Sequence, residues 1–488
     1  MDFLDPKKRA RHTIIILTGY VLIGVAIIIA TIVLLYQAYG FGLNRNGSVI
    51  QNGLLFFSSQ PAPADIYING KLSKSKTNTR LVLPSGIYNI KLDKAGYRPW
   101  ERTIELDGGR VAHYDYPLLF PKKLVTSKLH GYDAAPAMAT QSLDRRWAVV
   151  SQAGSMTNFD VYDLNNPAKE PTVITLPSDL LTKATTTESW QLSEWADDNQ
   201  HVVFQHLYDG KIEYILLNRT APAESLNLNK TLAVTPTKLT LNDKKYDQYY
   251  LYNSDGTLQT VSLKAPTAVA LLNHVLAYQT YGNNSVLYAT DEGAAAGKVM
   301  VKFLDNGQTN VVRSLPAGTT YLLNLTKYSG TFYFAIGAAS ENKVYIYKDP
   351  IGQINAGVVR VPVPAQVLHV DNPNYLGFSS NAQFIVAENG QQFGVYDIEN
   401  KHGYNYKTSQ ALDAPQAHAS WMDGNRLNYV SGGKLLVFDY DYTNNQTLIA
   451  ANPTYLPFFA PDYQHMYTLA AGTVAGQISL TQTALLIP

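Results

Sequence analysis

The sequence predicts an all-β ectodomain behind one N-terminal transmembrane helix, with a small antiparallel β-sandwich followed by a β-propeller of eight, alternatively seven, blades. Three observations support this prediction. A run of 24 residues without charge, 13–36, lies near the N-terminus. Short runs of alternating apolar and polar residues follow, separated by turn sequences rich in Gly, Asn, Asp and Pro. From about residue 125 a weak pattern recurs roughly every 45 residues, which is typical of a repeat architecture.

Composition excludes several classes of function. Lys and Arg total 39 and Asp and Glu total 38, so a net charge of +1 gives no global electrostatic reason to bind nucleic acid. The chain has no cysteine, which excludes disulfides, thiolate metal sites and cysteine nucleophiles. The same absence fits a protein exposed to an oxidising exterior. The 34 tyrosines favour strands over helices.

The run 13–36 is long enough to span a membrane. As a helix rising about 1.5 Å per residue it reaches roughly 36 Å, which exceeds the hydrocarbon core of about 30 Å. Tyr36 and Tyr39 stand where an interfacial aromatic belt would place them. The topology determinants are the basic residues before the run, Lys7, Lys8, Arg9 and Arg11, whereas only Arg45 follows soon after. The positive-inside rule therefore predicts a cytoplasmic tail at 1–12 and an extracytoplasmic remainder.

A cleaved signal peptide is the alternative interpretation of this segment. Its apolar region would span about 7–15 residues and end in a small-x-small site. Here the run is longer, and "QAYG" at 37–40 is a poor cleavage site. We therefore predict an uncleaved, single-pass signal anchor in the cell membrane, followed by a linker at 37–52.

Residues 53–120 have the pattern of a small antiparallel sandwich. "ADIYI" ends in Asn69-Gly70, which is a strong signal for a β-hairpin turn. In "TRLVLPSGIYNIKLD" apolar and polar residues alternate on both sides of a Pro-Ser-Gly turn. A period of two means that one face of each strand is buried and the other is exposed to water.

These residues resemble the PEGA domain family. The family pattern has a strand ending in Ser-Ser, a proline-led segment, an Asn-Gly turn, a Gly-x-Tyr turn and a Lys-x-Gly-Tyr corner. The matching residues are Ser58-Ser59, Pro61-Ala62-Pro63-Ala64, Asn69-Gly70, Ser85-Gly86-Ile87-Tyr88 and Lys94-Ala95-Gly96-Tyr97. Ala62 and Pro63 replace the Glu and Gly of the namesake tetrapeptide. The resemblance covers about a seventh of the chain and implies an extracytoplasmic β module of bacterial and archaeal envelope proteins, without known chemistry of its own.

Two aromatic residues of this module are candidate ligand-stacking residues. Tyr97 and Trp100 could stack on a sugar ring, or they could fill the core of the sandwich. We favour the core interpretation, because a small sandwich has few other large side chains to bury.

The region 125–488 contains recurring units that each predict a turn followed by a β run. They are "SLDRRWAVVS" at 142–151, "WADDNQHVVFQ" at 195–205, "FSSNAQFIVAE" at 378–388, "WMDGNRLNYVS" at 421–431 and "FAPDYQHMYTL" at 459–469. Three looser units can be placed between 205 and 378. About four short strands per unit indicate propeller blades, because a single blade cannot bury both of its faces. Eight blades is the first choice and seven the alternative, since the bounds of a unit in 205–330 can be drawn in more than one way.

The unit around Trp195, Asp198 and Phe204 resembles the TolB and WD40-like propeller families. The Gly-His and Trp-Asp signature of WD40 repeats is missing, so the resemblance implies propeller geometry alone. The turn aspartates, Asp144, Asp198 and Asp462, could bind a metal or cap their own turns through backbone N–H groups. We favour capping, which is the common role of a short carboxylate in a turn.

The sequence offers no catalytic motif. It contains no G-x-S-x-G elbow, P-loop or H-E-x-x-H helix. His201 and His206 are five residues apart on a predicted strand, so they point to opposite faces and cannot share a metal. The segment from Asp439 starts like a calcium loop but has Asn444 and Ala450 at the sixth and twelfth positions. We predict no catalytic, cofactor-binding or metal-ligating residues and no cofactor.

These observations predict a non-catalytic, membrane-anchored cell-envelope protein. It contacts the lipid bilayer through residues 13–36, and its extracytoplasmic propeller binds a protein partner or a surface polysaccharide, not nucleic acid. One alternative is an enzyme acting on envelope glycans from the propeller channel, which would need two converging carboxylates. The other is a structural subunit of a surface or secretion assembly.

Overall fold

A computed structural model describes residues 6–38, 40–43, 49–357, 361–416, 418–472 and 474–487, without the side chains of 6–9, 37, 38 and 43. The chain divides into two compact units, Met1–Lys123 and Leu124–Pro488. Tyr39 and Arg45 lie outside the described residues, as do the side chains of Lys7, Lys8 and Arg9.

The first unit starts with helix α1 (Pro6–Ala38), and the N-terminal apolar helix predicted from the sequence is confirmed. Its segment Ala10–Tyr36 is 27 residues long and none of it is buried; no other helix in the described ranges is long and apolar enough to cross a membrane. The hydroxyls of Thr18 and Thr31 donate to carbonyl oxygens one turn earlier, both at 2.8 Å. These polar groups are therefore satisfied within the helix, as a lipid environment requires.

Eight strands follow α1 in two four-stranded sheets. The strands are β1 (Phe41–Leu43), β2 (Val49–Phe57), β3 (Asp65–Ile68), β4 (Lys71–Lys76), β5 (Thr79–Pro84), β6 (Gly86–Asp93), β7 (Trp100–Leu106) and β8 (Val111–Tyr114). Sheet A contains β1, β2, β5 and β8, and sheet B has the order β4-β3-β6-β7. The predicted turn at Asn69-Gly70 is confirmed, with φ of +49° and +77°. All pairs are antiparallel except β2 with β8, which is parallel.

The prediction of a linker at 37–52 is wrong in part, because β1 and the start of β2 lie within it. Phe41 pairs with Gln51 in an antiparallel ladder. Gly40 has a φ of +76°, and a Cβ there would lie 2.7 Å from the carbonyl oxygen of Asn52. The Asn52 amide also donates to the Gly40 carbonyl at 2.7 Å. A three-residue strand is too short to produce a period in the sequence, so only its long-range pairing reveals it.

The second unit begins with β9 (Val125–Tyr132), and four four-stranded sheets follow it along the chain. Sheet 1 contains β10 (Ala139–Gln141), β11 (Trp147–Ser151), β12 (Asn158–Asp163) and β13 (Thr172–Thr175). Sheet 2 contains β14 (Glu188–Trp195), β15 (His201–Tyr208), β16 (Lys211–Asn218) and β17 (Leu226–Asn227). Sheet 3 contains β18 (Lys238–Asn242), β19 (Lys245–Tyr252), β20 (Leu258–Ser262) and β21 (Val269–Leu272). Sheet 4 contains β22 (Val275–Tyr281), β23 (Ser285–Thr290), β24 (Lys298–Asp305) and β25 (Gln308–Pro316).

Four more sheets complete the described part of this unit. Sheet 5 contains β26 (Tyr321–Tyr328), β27 (Thr331–Ala338), β28 (Lys343–Lys348) and β29 (Gln366–His369). Sheet 6 contains β30 (Tyr375–Phe378), β31 (Phe384–Glu388), β32 (Gln392–Asp397) and β33 (His402–Lys407). Sheet 7 contains β34 (Ser420–Trp421), β35 (Arg426–Ser431), β36 (Lys434–Asp439) and β37 (Gln446–Ala450). Sheet 8 contains β38 (Phe458–Phe459), β39 (His465–Ala471), β40 (Ile478–Ala484) and β9. Short helices α2 (Leu228–Leu232) and α3 (Pro350–Asn355) lie in connections.

The first strand of this unit completes its last sheet. β9 pairs antiparallel with β40, so that Val125 lies opposite Ala484. Apolar side chains of sheets 8 and 1 share one buried cluster, and the hydroxyls of Tyr132 and Tyr162 lie 2.7 Å apart across it. Sheets that follow one another and a last sheet packed on the first define the propeller fold predicted from the sequence.

Candidate functional site

The turn aspartates cap their own turns, as the sequence predicted. Asp144 Oδ1 accepts the amide of Arg146 at 3.0 Å, and Asp198 Oδ1 accepts the amide of Gln200 at 2.9 Å. Asp462 Oδ1 accepts the amide two residues later at 3.0 Å. These carboxylates satisfy backbone N–H groups that the tight hairpins would otherwise leave unpaired.

The two histidines of β15 contact different carboxylates and do not form a shared site. His201 Nδ1 lies 2.6 Å from Asp198. The buried His206 lies between Glu213 and Glu188, with 2.8 Å from each ring nitrogen to a carboxylate oxygen. Burial raises the pKa of Glu213, but hydrogen bonds from His206, Thr182 and a neighbouring asparagine outweigh it and hold the pKa at about 2. These side chains therefore form a hydrogen-bonded network in which both ring nitrogens of His206 have partners.

In the segment that starts like a calcium loop, the carboxylates of Asp439 and Asp441 also contact other side chains of the protein. Asp439 is the last residue of β36, and its Oδ1 lies 3.5 Å from Nε of the buried Arg426. Asn444 Nδ2 donates to the other oxygen at 2.9 Å. Asp441 lies in the turn and accepts the Thr443 hydroxyl at 2.7 Å. Throughout the described ranges, no three or more His, Cys, Asp or Glu residues are placed to hold a metal ion together.

Tyr97 and Trp100 belong to the core of the first unit. Tyr97 is 3% exposed and Trp100 is 1% exposed. The Trp100 ring packs edge-on against Tyr116 with centroids 6.0 Å apart. The hypothesis that they stack on a ligand is wrong for this fold, because neither ring has a face open to solvent. The core interpretation is confirmed.

A cleft of about 1000 Å³ lies between sheets 3 and 4 of the second unit. Its walls are the end of β18 and β19 to β21 on one side and the hairpin ends of sheet 4 on the other. The buried cluster that joins these two sheets contains six residues, Tyr250, Leu258, Val275, Val286, Tyr288 and Leu304. The cluster that joins sheets 4 and 5 contains twelve. Sheets 3 and 4 are therefore packed together over less of their width, and the cleft occupies the rest.

One buried side chain in the cleft wall lacks a hydrogen-bond partner. Asn242, the last residue of β18, is 8% exposed, and its Oδ1 accepts no hydrogen bond from the described residues. An unpaired buried acceptor costs about 1–3 kcal/mol. A ligand that donates an N–H or O–H at this point would remove the cost.

The rest of the polar wall is made of amides and hydroxyls. Asn284 Nδ2 donates to Asn306 Oδ1 at 3.3 Å, and the Tyr250 hydroxyl donates to the Asn283 carbonyl at 3.1 Å. The other uncharged polar side chains of the lining are Gln248, Thr260, Ser262, Thr267 and Thr309. The charged lining residues are Asp247 and Lys264, which lie 3.4 Å apart. The cleft therefore presents a nearly neutral hydrogen-bonding surface.

An apolar lip borders the cleft on the outer side of sheet 3. It is formed by β21, which lies at the edge of the sheet and has the sequence "VALL". Val269 is 61% exposed, and Leu271 is also exposed. An edge strand without charged residues can pair with another extended chain.

Sequence reasoning missed this cleft. Its polar residues are spread along the chain from Asn242 to Thr309 and belong to no motif. The one available signal was indirect, because the cleft lies in the stretch where the repeat pattern was loosest.

Comparisons with known proteins found one matching family model and several similar solved structures. Residues 52–119 match the family model described as "PEGA domain". The chain is similar to the C-terminal WD40 domain of Sif2, with a TM-score of 0.49 and 10% identity over 75% of this chain and 99% of that one. It is also similar to the Dos1 propeller, with a TM-score of 0.44 and 13% identity over 74% and 94%. An oligogalacturonate lyase in complex with manganese has a TM-score of 0.41 and 10% identity over 74% and 98%. None of the curated proteins compared with the chain matches it.

Proposed function

We propose that this chain is a membrane-anchored binding protein of the cell envelope that holds an extended segment of a partner protein in the cleft between sheets 3 and 4. The observation that supports this most directly is the buried Asn242 Oδ1, an acceptor without a partner in the wall of a large cleft. A backbone N–H of a bound segment is a suitable donor for it.

The apolar lip favours a peptide as the occupant. An extended chain that adds to a sheet edge places alternate side chains on opposite faces, so every second side chain would enter the cleft. There it would meet Val269 and Leu271 at the lip and Val286 and Leu304 at the floor. Main-chain hydrogen bonds would provide affinity and these contacts would provide selectivity.

The lining fits a glycan or a glycosidase less well. The one aromatic residue in it, Tyr250, is buried and offers no ring face on which a sugar could stack. Glycoside hydrolysis commonly uses two carboxylates, whereas Asp247 is the one carboxylate of this lining and is paired with Lys264. The proposal therefore contains no catalytic step.

The binding function is tested by crosslinking from inside the cleft. A photoreactive amino acid at Val269 and, separately, at Asn306 of the full chain should capture the same short segment of a single protein in native membranes. Leu271→Glu should reduce the yield of this crosslinked product at least about tenfold, which corresponds to a loss of about 1.4 kcal/mol in binding free energy. This leucine is exposed, so its replacement leaves the core unchanged.

The matched control is Val173, an exposed valine on β13, the outer strand of sheet 1. The photoreactive amino acid at Val173 should not capture that segment. Val173→Glu should leave unchanged the yield of crosslinking from the photoreactive amino acid at Val269. Equal capture at Val173 and Val269 would reject the cleft as the binding site. Adducts with glycan at Val269 would favour polysaccharide binding instead.

The proposal includes an orientation in which the propeller lies outside the cell membrane. It rests on the basic residues before the apolar run 13–36, which the positive-inside rule retains in the cytoplasm. Because the chain has no cysteine, Lys74→Cys and Asp2→Cys each create a single labelling site. In intact cells a membrane-impermeant maleimide should label the first and should label the second only after lysis. The opposite labelling pattern would contradict the orientation.

A further inference from the structure

The charge of the chain is unevenly distributed, although the net value is close to zero. Residues 49–123 contain eleven basic and six acidic residues, whereas residues 124–488 contain 23 basic and 30 acidic residues. The module next to the membrane helix is therefore basic, and the propeller is acidic. A basic module beside a membrane favours anionic lipid headgroups.

Sheet A has an exposed apolar outer face. Leu54 pairs with Val82 on one side and with Val111 on the other, so these three side chains form a row across β5, β2 and β8. Val82 is 63% exposed and Val111 is 52% exposed. In the next row Phe56 lies opposite Arg80 and stacks on His113 with centroids 4.6 Å apart.

The opposite side of the same strands is the core of the module. Leu55, Phe57 and Leu81 alternate with the residues of the outer face and are all buried. The outer side of a two-sheet sandwich would ordinarily be polar. The apolar outer row is a departure from that pattern, and it needs an apolar or interfacial neighbour.

This face starts close to the end of the membrane helix. β1 begins at Phe41, whose ring stacks on Tyr36 at 4.8 Å, and Tyr36 is the last residue of the candidate span. Phe41 pairs with Gln51 of β2, three residues before Leu54. At about 3.3 Å per residue the apolar row starts about 10 Å along the strand from that pair. The short link between α1 and β1 therefore keeps sheet A near the bilayer surface.

We propose that the outer face of sheet A lies on the bilayer surface next to the C-terminal end of α1 and contacts anionic phospholipids. Leu54, Val82 and Val111 enter the interfacial layer, and Arg80 binds a headgroup phosphate. Arg110 lies next to Val111 and 3.5 Å from Asp107, and it adds a second positive charge beside the apolar row. Lipid contact would fix the first unit against the membrane instead of leaving it as a free spacer.

The test uses the full chain in lipid vesicles, with one cysteine introduced at a time. Val82→Cys carries an environment-sensitive fluorophore, and lipids with a headgroup-level spin label act as quenchers. In phosphatidylcholine containing phosphatidylglycerol the fluorophore should be quenched strongly. Raising the salt from about 0.1 M to 1 M shortens the Debye length from about 10 Å to 3 Å and should weaken the quenching.

Ile87→Cys is the matched control, because Ile87 is an exposed residue on the outer face of sheet B. The fluorophore there should be quenched weakly and equally in both lipid mixtures. Arg80→Gln should lower the ratio of docked to undocked protein about fivefold, the factor for about 1 kcal/mol per basic side chain near an anionic surface. Val111→Glu should reduce the docked fraction further, because it places a carboxylate in the face.

Three results would overturn the proposal. They are equal quenching at Val82 and Ile87, quenching at Val82 that does not depend on phosphatidylglycerol, and docking that Arg80→Gln and Val111→Glu both leave unchanged. None of these measurements involves the cleft between sheets 3 and 4, so they leave the proposed partner binding untouched.

Discussion

Trp195→Ala should lower the free energy of unfolding by about 3–5 kcal/mol, the range for removing a large aromatic side chain from a packed core. Trp195 is the last residue of β14 and is buried in the cluster that joins sheets 1 and 2. Its indole Nε1 donates to the Thr140 hydroxyl of sheet 1 at 2.9 Å. The substitution therefore removes apolar contact between two sheets and leaves a buried hydroxyl without that partner.

Trp147→Ala is the matched control for the loss of a tryptophan. Trp147 is half-buried, and the Arg219 guanidinium lies 3.9 Å from its ring centroid. We expect this change to cost about 1 kcal/mol, mainly through the lost cation–π contact. Urea unfolding of the full chain in detergent, followed by far-ultraviolet circular dichroism, measures both values. Equal losses for the two variants would contradict the assignment of Trp195 to the packing between sheets.

Glu388 should make the stability of the propeller fall as pH rises. Glu388 is the last residue of β31 and is fully buried, although the Ala419 amide donates to Oε1 at 2.8 Å. Burial raises its pKa from 4.5 to about 8. The folded state therefore retains a proton that the unfolded state has lost. The stability is fully present below about pH 4.5 and declines by about 1.4 kcal/mol per pH unit until pH 8 is reached.

Glu388→Gln removes the titrating group and keeps the acceptor oxygen. The variant should show a flatter dependence of unfolding free energy on pH, and it should be more stable than the natural chain near pH 8. Denaturant unfolding between about pH 5 and 8 measures this and avoids the acidic range in which Glu213 titrates. Glu292→Gln, at an exposed position, is the control and should leave the slope unchanged. A natural chain whose stability does not decline over this range would contradict the buried, protonated state.

Much of the fold was predictable because its determinants are local. The apolar helix follows from an unbroken run of apolar residues, and the hairpin at Asn69-Gly70 follows from two residues that tolerate positive φ. The aspartates at the propeller turns acted as predicted, since a carboxylate reaches amides only two or three residues away.

The candidate sites were less predictable, because burial depends on what packs against a side chain. Tyr97 and Trp100 could be core or ligand-stacking residues from sequence alone, and only the second sheet of the sandwich shows that both are enclosed. The cleft near Asn242 depends on how far two neighbouring sheets are packed together. No residue type or spacing in the sequence indicates how much of sheets 3 and 4 is packed together.

The sequence by itself therefore determined the apolar N-terminal helix, the β content, the hairpin turns and the repeat, each of which depends on neighbours a few residues apart. The tertiary structure alone decided the pairing of β1 with β2, the parallel pair of β2 and β8, and the completion of sheet 8 by β9. In the last case the hydroxyls of Thr126 and Thr483 lie 2.9 Å apart after a separation of 357 residues. Such pairings are chosen among many edges of similar strands, and the choice rests on the packing and closure of the whole unit.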